Sequence, residues 1–387
     1  MQEEQRKSVR IRKYAAVAVL LPFLAMPVLF AQSPPPTPPE DDAASRLLAV
    51  AGDGFQIRES DHFVIAYDTS YEAIRPLVGR LEGTYKALAR FCKTCGINEP
   101  ETGVRLEVIL FDQHDDYSRY LESIGIESAT MAGIYNQRTN IAAFCNTLNH
   151  PDLKGVAREI EQIQAQLERL GRQGPSAHRR RQELSHRLSA YKTQRDAIVK
   201  RFNRFVIQHE AAHQMLFNLG VHVRGGDNPM WLVEGLACQF EVPQTSSPTG
   251  RLRINHMRLG DIRDALELPP RAKRAPARAY EQAVQAGRLA SLVDLITQPD
   301  LFRGRDANIP NHYAEAWALI YYLHREHREA LADYLGKVQA REPGRRIESE
   351  RALDEFRAAF GEPDAEFERA WINGIVALRF DPAEAGR

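Results

Sequence analysis

The stretch Phe205 to Phe217, FVIQHEAAHQMLF, constrains this chain more than any other. It contains no turn signal, it is apolar at both ends, and small uncharged Ala211 and Ala212 fill its middle, so it reads as a helix sunk in a core. Residues four apart lie one turn apart on the same helix face, so His209 and His213 present two imidazole nitrogens to one point. Glu210 stands beside them. A charged group at the inner positions of such a helix costs several kcal/mol in desolvation unless something compensates it. Two histidines at this spacing with an adjacent carboxylate suit a metal ion, with the histidines as ligands and Glu210 as a base acting on activated water. The bland alternative is a helix with two ordinary histidines, one of them satisfied in the core.

A catalytic zinc takes three protein ligands and keeps one position open. The third is sought in Asn228 to Glu241, NPMWLVEGLACQFE, where Glu234 follows His213 after twenty intervening residues. That separation allows a loop and a second helix to bring a carboxylate back against the first. Trp231, Leu232, Val233, Leu236, Ala237 and Phe240 make this helix apolar, leaving Glu234 and Glu241 as its only charges. Metal-bound imidazoles pass their other N–H to an oxygen, and Glu241, Asp227 and Asn228 are candidates to accept it.

His209-Glu-Ala-Ala-His213 followed by Trp231-Leu-Val-Glu234-Gly235-Leu-Ala237 resembles the gluzincin metallopeptidases, most closely their peptidase MA-like branch. The resemblance implies zinc held by His209, His213 and Glu234, Glu210 as general base, and peptide hydrolysis. It also implies an oxyanion donor, a tyrosine or histidine beyond the third ligand. Asn311 to Leu323, NHYAEAWALIYYL, offers Tyr313 as first candidate, with His312 and Tyr321 behind it and a packing role for Tyr313 as the alternative. The competing function, from another class, is a catalytically inactive zincin-like binding or scaffolding module. Retention of Glu210 argues against it, because a structural metal needs ligands and no base.

The motifs cover only a small part of the chain, and the remainder reads as an α+β protein. His62 to Tyr67 and Val104 to Phe111 are β-rich, Tyr71 to Phe91 is helical in spacing, and Ala132 to Tyr135 with Asn140 to Phe144 forms a hairpin. The expectation is a small, mostly antiparallel sheet with helices on one face, across residues 43–151. Residues 152–204 differ in kind. Val156, Ile160, Ile163, Leu167 and Leu170, then Leu184, Leu188, Tyr191, Ile198 and Phe202, repeat at coiled-coil spacing on either side of Gly171 to Ser176. They predict an inserted helical hairpin, with thirteen Lys or Arg against six Asp or Glu. Such a hairpin is either a solvated spacer or lid, or a docking surface for an acidic partner. Residues 205–250 carry the two site helices, and 251–380 are helical in pattern.

At the amino terminus, Arg6, Lys7, Arg10, Arg12 and Lys13 precede the uncharged run Tyr14 to Ala31. This is an export signal, either a removed signal peptide or an uncleaved single membrane anchor over residues 1–31, because no cleavage position is clean. Pro22 and Pro27 speak against a buried soluble helix. A proline-rich linker, 32–42, follows. The expected location is therefore periplasmic or extracellular. With fifty-one basic against fifty-one acidic residues, no whole-molecule field draws the chain to nucleic acid. Arg271 to Arg278 reads as a surface loop. Cys92 and Cys95 suggest a local disulfide in an exported domain, and Cys145 and Cys238 read as small core residues. There is no P-loop, Rossmann fingerprint or solenoid repeat.

Overall fold

The computed structural model describes residues 43–97, 105–126, 132–171, 178–244, 251–269, 271–304 and 307–385. The expected export signal and proline-rich linker lie outside them. Among the described residues no helix is long and apolar enough to cross a membrane.

The protein is α+β, with fourteen α-helices and one five-stranded sheet among the described residues. The strands are β1 (Gln56–Glu59), β2 (Phe63–Tyr67), β3 (Leu106–Phe111), β4 (Gly133–Asn136) and β5 (Ile141–Cys145), in the order β1-β2-β3-β5-β4. The outer pairs are antiparallel, but β2 with β3 and β3 with β5 are parallel, Phe63 facing Leu106 and Leu110 facing Phe144. The sheet is thus mixed, not mostly antiparallel. Its cause lies in the connections: helix α2 (Tyr71–Thr94) carries the chain from β2 back to the start of β3, as parallel neighbours require.

Helices cover both faces of the sheet, which corrects the one-face expectation. Leu47 of α1 (Ala43–Ala51) and Tyr117 and Leu121 of α3 (His114–Ser123) pack with Val64, Ala66, Ile109 and Phe111. Phe63, Ile65, Val108, Leu110 and Phe144 point the other way, into the main core with α2 and the site helices. The sequence already carries this fact. FVIAY is buried at every position and never alternates with polar residues, the pattern of a strand enclosed on two sides.

The predicted hairpin forms from α4 (Lys154–Gly171) and α5 (His178–Phe202), closed by buried Ile160, Ile163 and Leu184. Helix α5 does not run into the site helix as one regular α-helix. A π-turn at Asn203–Ile207 separates it from α6 (Gln208–Asn218), and Phe205, Val206 and Ile207 are all buried. An inserted π-turn re-aims the helix face that follows it. Its close approach to the sheet requires a glycine on β4, since a Cβ on Gly133 would lie 2.6 Å from Val206 Cγ1 and 2.7 Å from Phe144 Cδ1. Buried Gln214 then ties α6 to the sheet, donating to the carbonyls of Glu107 and Asn140 at 2.8 Å each.

Helix α7 (Met230–Phe240) follows, and α11 (Ile309–Glu326) crosses it closely. Gly235 makes that crossing feasible: a Cβ there would stand 2.5 Å from the Ala316 carbonyl oxygen. Gln239 of α7 donates to the Trp317 carbonyl at 2.8 Å. The remaining helices, α8 (His256–Ala265), α9 (Ala279–Gln285), α10 (Leu292–Thr297), α12 (Arg328–Gln339), α13 (Ser349–Phe360) and α14 (Ala365–Val376), pack around these two through Trp317, Tyr334, Phe356 and Trp371.

Cys92 and Cys95 are buried and no disulfide joins them, contrary to expectation. Cys92 turns into the core from the last turn of α2, whose end is closed by the Cys95 backbone N–H on Phe91 and Cys92 carbonyls. The helix end needs no covalent closure. Cys145 and Cys238 are buried as expected.

Candidate metal centre

Helix α6 presents His209 and His213, and α7 brings Glu234 back against them. His213 Nε2 lies 3.0 Å from His209 Nε2, and Glu234 Oε2 lies 3.1 Å from His209 Nε2 and 3.3 Å from His213 Nε2. All three residues are buried. Three ligand atoms on a tetrahedral ion, each about 2.0–2.1 Å from it, stand about 3.3 Å from one another. The cluster therefore has the dimensions of a metal site, and its donor set of two imidazoles and one carboxylate suits one. Two nitrogens that both approach the same carboxylate oxygen and each other have no reason to do so in an ordinary core.

The second nitrogen of His209 is fixed from behind. Nδ1 lies 3.1 Å from Glu241 Oε1, and Glu241 is fully buried. Its carboxylate accepts from Arg258 Nε at 2.9 Å and from Asn255 Nδ2 at 2.7 Å, with the Arg258 Nη2 on the other oxygen. Burial works to raise the Glu241 carboxyl, but the Arg258 charge together with the hydrogen bonds from His209 and Arg258 outweighs it and holds the group well below the usual carboxylate range. The acid stays ionised and faces His209 Nδ1 as an acceptor, the support that a histidine ligating a metal through Nε2 needs. Of the three candidates for this role, Glu241 is in place. Asp227 and Asn228 are not: Asp227 Oδ2 accepts from the Ile347 N–H at 2.5 Å, and Asn228 clasps the backbone of Val223 at 2.8 and 3.0 Å. Both shape the loop between α6 and α7.

Glu210 is half-buried and stands outside the ligand triangle. One carboxylate oxygen accepts the backbone N–H of Tyr135, on edge strand β4, at 2.9 Å. Desolvation raises its pKa, against the lowering effect of His213, His209 and that N–H. A carboxyl lifted toward neutrality is suited to proton exchange.

Tyr313 lies near the first turn of α11, 1% exposed, with its ring centroid 5.7 Å from that of His209 and the Arg258 guanidinium 5.5 Å over its face. It forms part of the wall of the centre. His312 turns elsewhere, with Nδ1 2.9 Å from Glu315, which also accepts the Ala290 N–H. Tyr321 packs on Trp317 at 5.5 Å. Neither of those two reaches the centre.

The residues that sequence reasoning missed are Arg258, Asn255, Cys238 and His222. Cys238 shares a second close group with His209 and Glu241. His222, in the α6–α7 loop, is 2% exposed and electrostatically coupled to His213 and Glu234. A third group, Asp61, His62 and Glu82, is at the surface, where His62 Nδ1 is already engaged by Glu82 at 2.6 Å.

The fold and centre define an α+β protein whose buried His/Glu groups could hold a metal ion. Residues 205–344 match the family model described as a protein of unknown function, DUF1570. That span begins within the π-turn and includes every residue of the centre, from His209 to Tyr313. No curated protein and no solved structure matches the chain.

Proposed function

We propose that the chain is a zinc-dependent peptidase of gluzincin type, cleaving peptide or protein substrates outside the cytoplasm. The observation that carries this reading is the convergence of His209 Nε2, His213 Nε2 and Glu234 Oε2 within 3.0–3.3 Å, with Glu210 adjacent and not among them. A purely structural site has no use for that fourth group.

His209, His213 and Glu234 would hold the zinc ion, which would supply Lewis acidity toward a scissile carbonyl and an attacking water. Glu210 takes the proton from that water and returns it to the leaving amine. The Tyr135 N–H fixes the carboxylate for this exchange by occupying one of its oxygens. Glu241 and Arg258 hold His209 in the tautomer that leaves Nε2 unprotonated. Tyr313, against the His209 ring, is the residue we assign to stabilise the oxyanion. The export signal at residues 1–31 supports the extracytoplasmic location, as a cleaved peptide or an anchor, and the basic hairpin at 152–204 is offered as the surface for an acidic partner.

The test is hydrolysis of a mixed peptide library by the purified protein, with and without a chelator, beside Glu210→Gln. The reading expects cleavage that chelation abolishes and zinc restores, and a Glu210→Gln protein that retains metal without turnover. Cleavage that survives the chelator rejects it; zinc binding without cleavage supports the inactive scaffold instead.

A further inference from the structure

The two imidazoles of the centre are supported unequally. His209 Nδ1 has Glu241 behind it at 3.1 Å, whereas His213 Nδ1 is buried with no hydrogen-bond partner among the described residues. A histidine that ligates a metal through Nε2 passes its Nδ1–H to an acceptor, and that acceptor sets the ring's orientation and basicity. Neither Asp227 nor Asn228 supplies one, since both are engaged within the loop. One buried polar side chain of that loop remains uncommitted. His222 is 2% exposed, and neither Nδ1 nor Nε2 bonds to any described residue.

His222 is held in place by the fold. Its backbone N–H donates to the Leu216 carbonyl at 3.2 Å, and its ring packs on Phe217 at 5.1 Å between centroids. Phe217 follows His213 by one helical turn on the same face of α6, and the His222 ring packed on it is close enough for His213 and Glu234 to act on it electrostatically. The turn that delivers it is made by Gly220 in the left-handed region, φ 75°, and is locked downstream by Asn228 on Val223. Burial, and then the charge of His213, push the His222 imidazole down to about 3. A neutral ring always offers one lone pair and one N–H.

We propose that His222 is the positioning residue of His213, accepting its Nδ1–H through one bridging water as Glu241 accepts that of His209 directly. The inference rests on the zinc reading. An ordered internal water needs polar partners, and His213 Nδ1 and the His222 nitrogens are buried groups that have none among the described residues. The His213 side thus has an uncharged support where the His209 side has a charged one.

The experiment compares the full-length protein with His222→Met, which matches the ring in bulk but offers only a weakly accepting thioether, and His222→Gln, which accepts strongly through its amide oxygen. Zinc affinity is read by competition with a chromophoric chelator, and the ligand field by the visible spectrum of the cobalt-substituted proteins. The expected result is a zinc affinity lowered about ten- to a hundredfold in His222→Met, with shifted cobalt bands, and largely restored in His222→Gln. Parent-like zinc affinity and cobalt bands in His222→Met overturn the inference while leaving the zinc reading intact. A parent protein that binds no metal overturns both. Should His222→Met fail to fold, long-range proton–nitrogen spectra of the zinc-loaded parent decide: a neutral His222 with one hydrogen-bonded acceptor nitrogen supports the assignment, and a doubly protonated ring, unable to accept, overturns it.

Discussion

Replacing Arg258 with methionine should cost the protein about 3 kcal/mol of stability at neutral pH, because it strands the Glu241 carboxylate in the core. Arg258 is 3% exposed, Glu241 is fully buried, and the guanidinium reaches both carboxylate oxygens. Breaking one side of a buried ion pair typically costs about 3–5 kcal/mol, and Asn255 and His209 still face the acid here, which favours the lower end. Protonation of Glu241 sets an independent ceiling. Holding a carboxyl of ordinary pKa 4.5 in its neutral form at pH 7 costs about 3.4 kcal/mol, and the stranded group takes that route whenever it is cheaper.

The pH dependence follows with a definite sign. In the parent the Glu241 pKa is depressed to about 2, so its stabilising contribution is complete above about pH 4.5 and disappears only as the pH falls toward 2. In Arg258→Met the folded pKa is raised instead, so the penalty eases as the pH falls from neutrality toward 4.5. The stability gap between the two proteins should therefore narrow on acidification, by up to about 1.4 kcal/mol per pH unit once Glu241 binds its proton. Urea unfolding of both metal-free proteins from pH 7 to pH 5 measures this. A gap below about 1 kcal/mol at pH 7, or one that widens on acidification, would refute the buried-pair argument.

Other parts of the account are open to test. Gly235→Ala places a methyl 2.5 Å from the Ala316 carbonyl oxygen, and overpacking should lower stability by about 1–3 kcal/mol in chemical denaturation. Glu234→Ala should lose stoichiometric metal by elemental analysis, and Glu210→Gln should keep it while turnover drops by about a hundredfold or more. Tyr313→Phe should leave the metal content unchanged and lower kcat by about a hundredfold or more if its hydroxyl serves the oxyanion; unchanged kcat removes Tyr313 from the mechanism.

The site helices were legible in the sequence because their constraint is local. Residues at 209, 210 and 213 are fixed relative to one another by helix geometry, and the burial of Glu234 in an apolar helix announces that it needs a partner. Glu241 was legible as a candidate for the same reason, being the other charge on that helix. Arg258 and Asn255 were not: they arrive from α8, and nothing in RINHMRLGD distinguishes an arginine that enters the core from one that points to solvent. His222 was hidden because a histidine in a loop carries no periodic signal. The sheet shows the same division. β2, β3 and the β4–β5 hairpin follow from apolar runs, while strand direction depends on how α2 crosses the sheet, and the polar strand QIRE of β1 resembles a loop. The disulfide expectation failed because cysteine spacing conveys no side-chain direction.

The measurement that bears most directly on the central claim is zinc stoichiometry by elemental analysis of the gently purified protein, beside His213→Ala. The geometry of His209, His213 and Glu234 predicts one tightly held zinc per chain in the parent and its loss in the variant. A parent that holds no zinc after zinc is added back, or a His213→Ala protein that keeps it, would contradict the assignment of this cluster as a metal site.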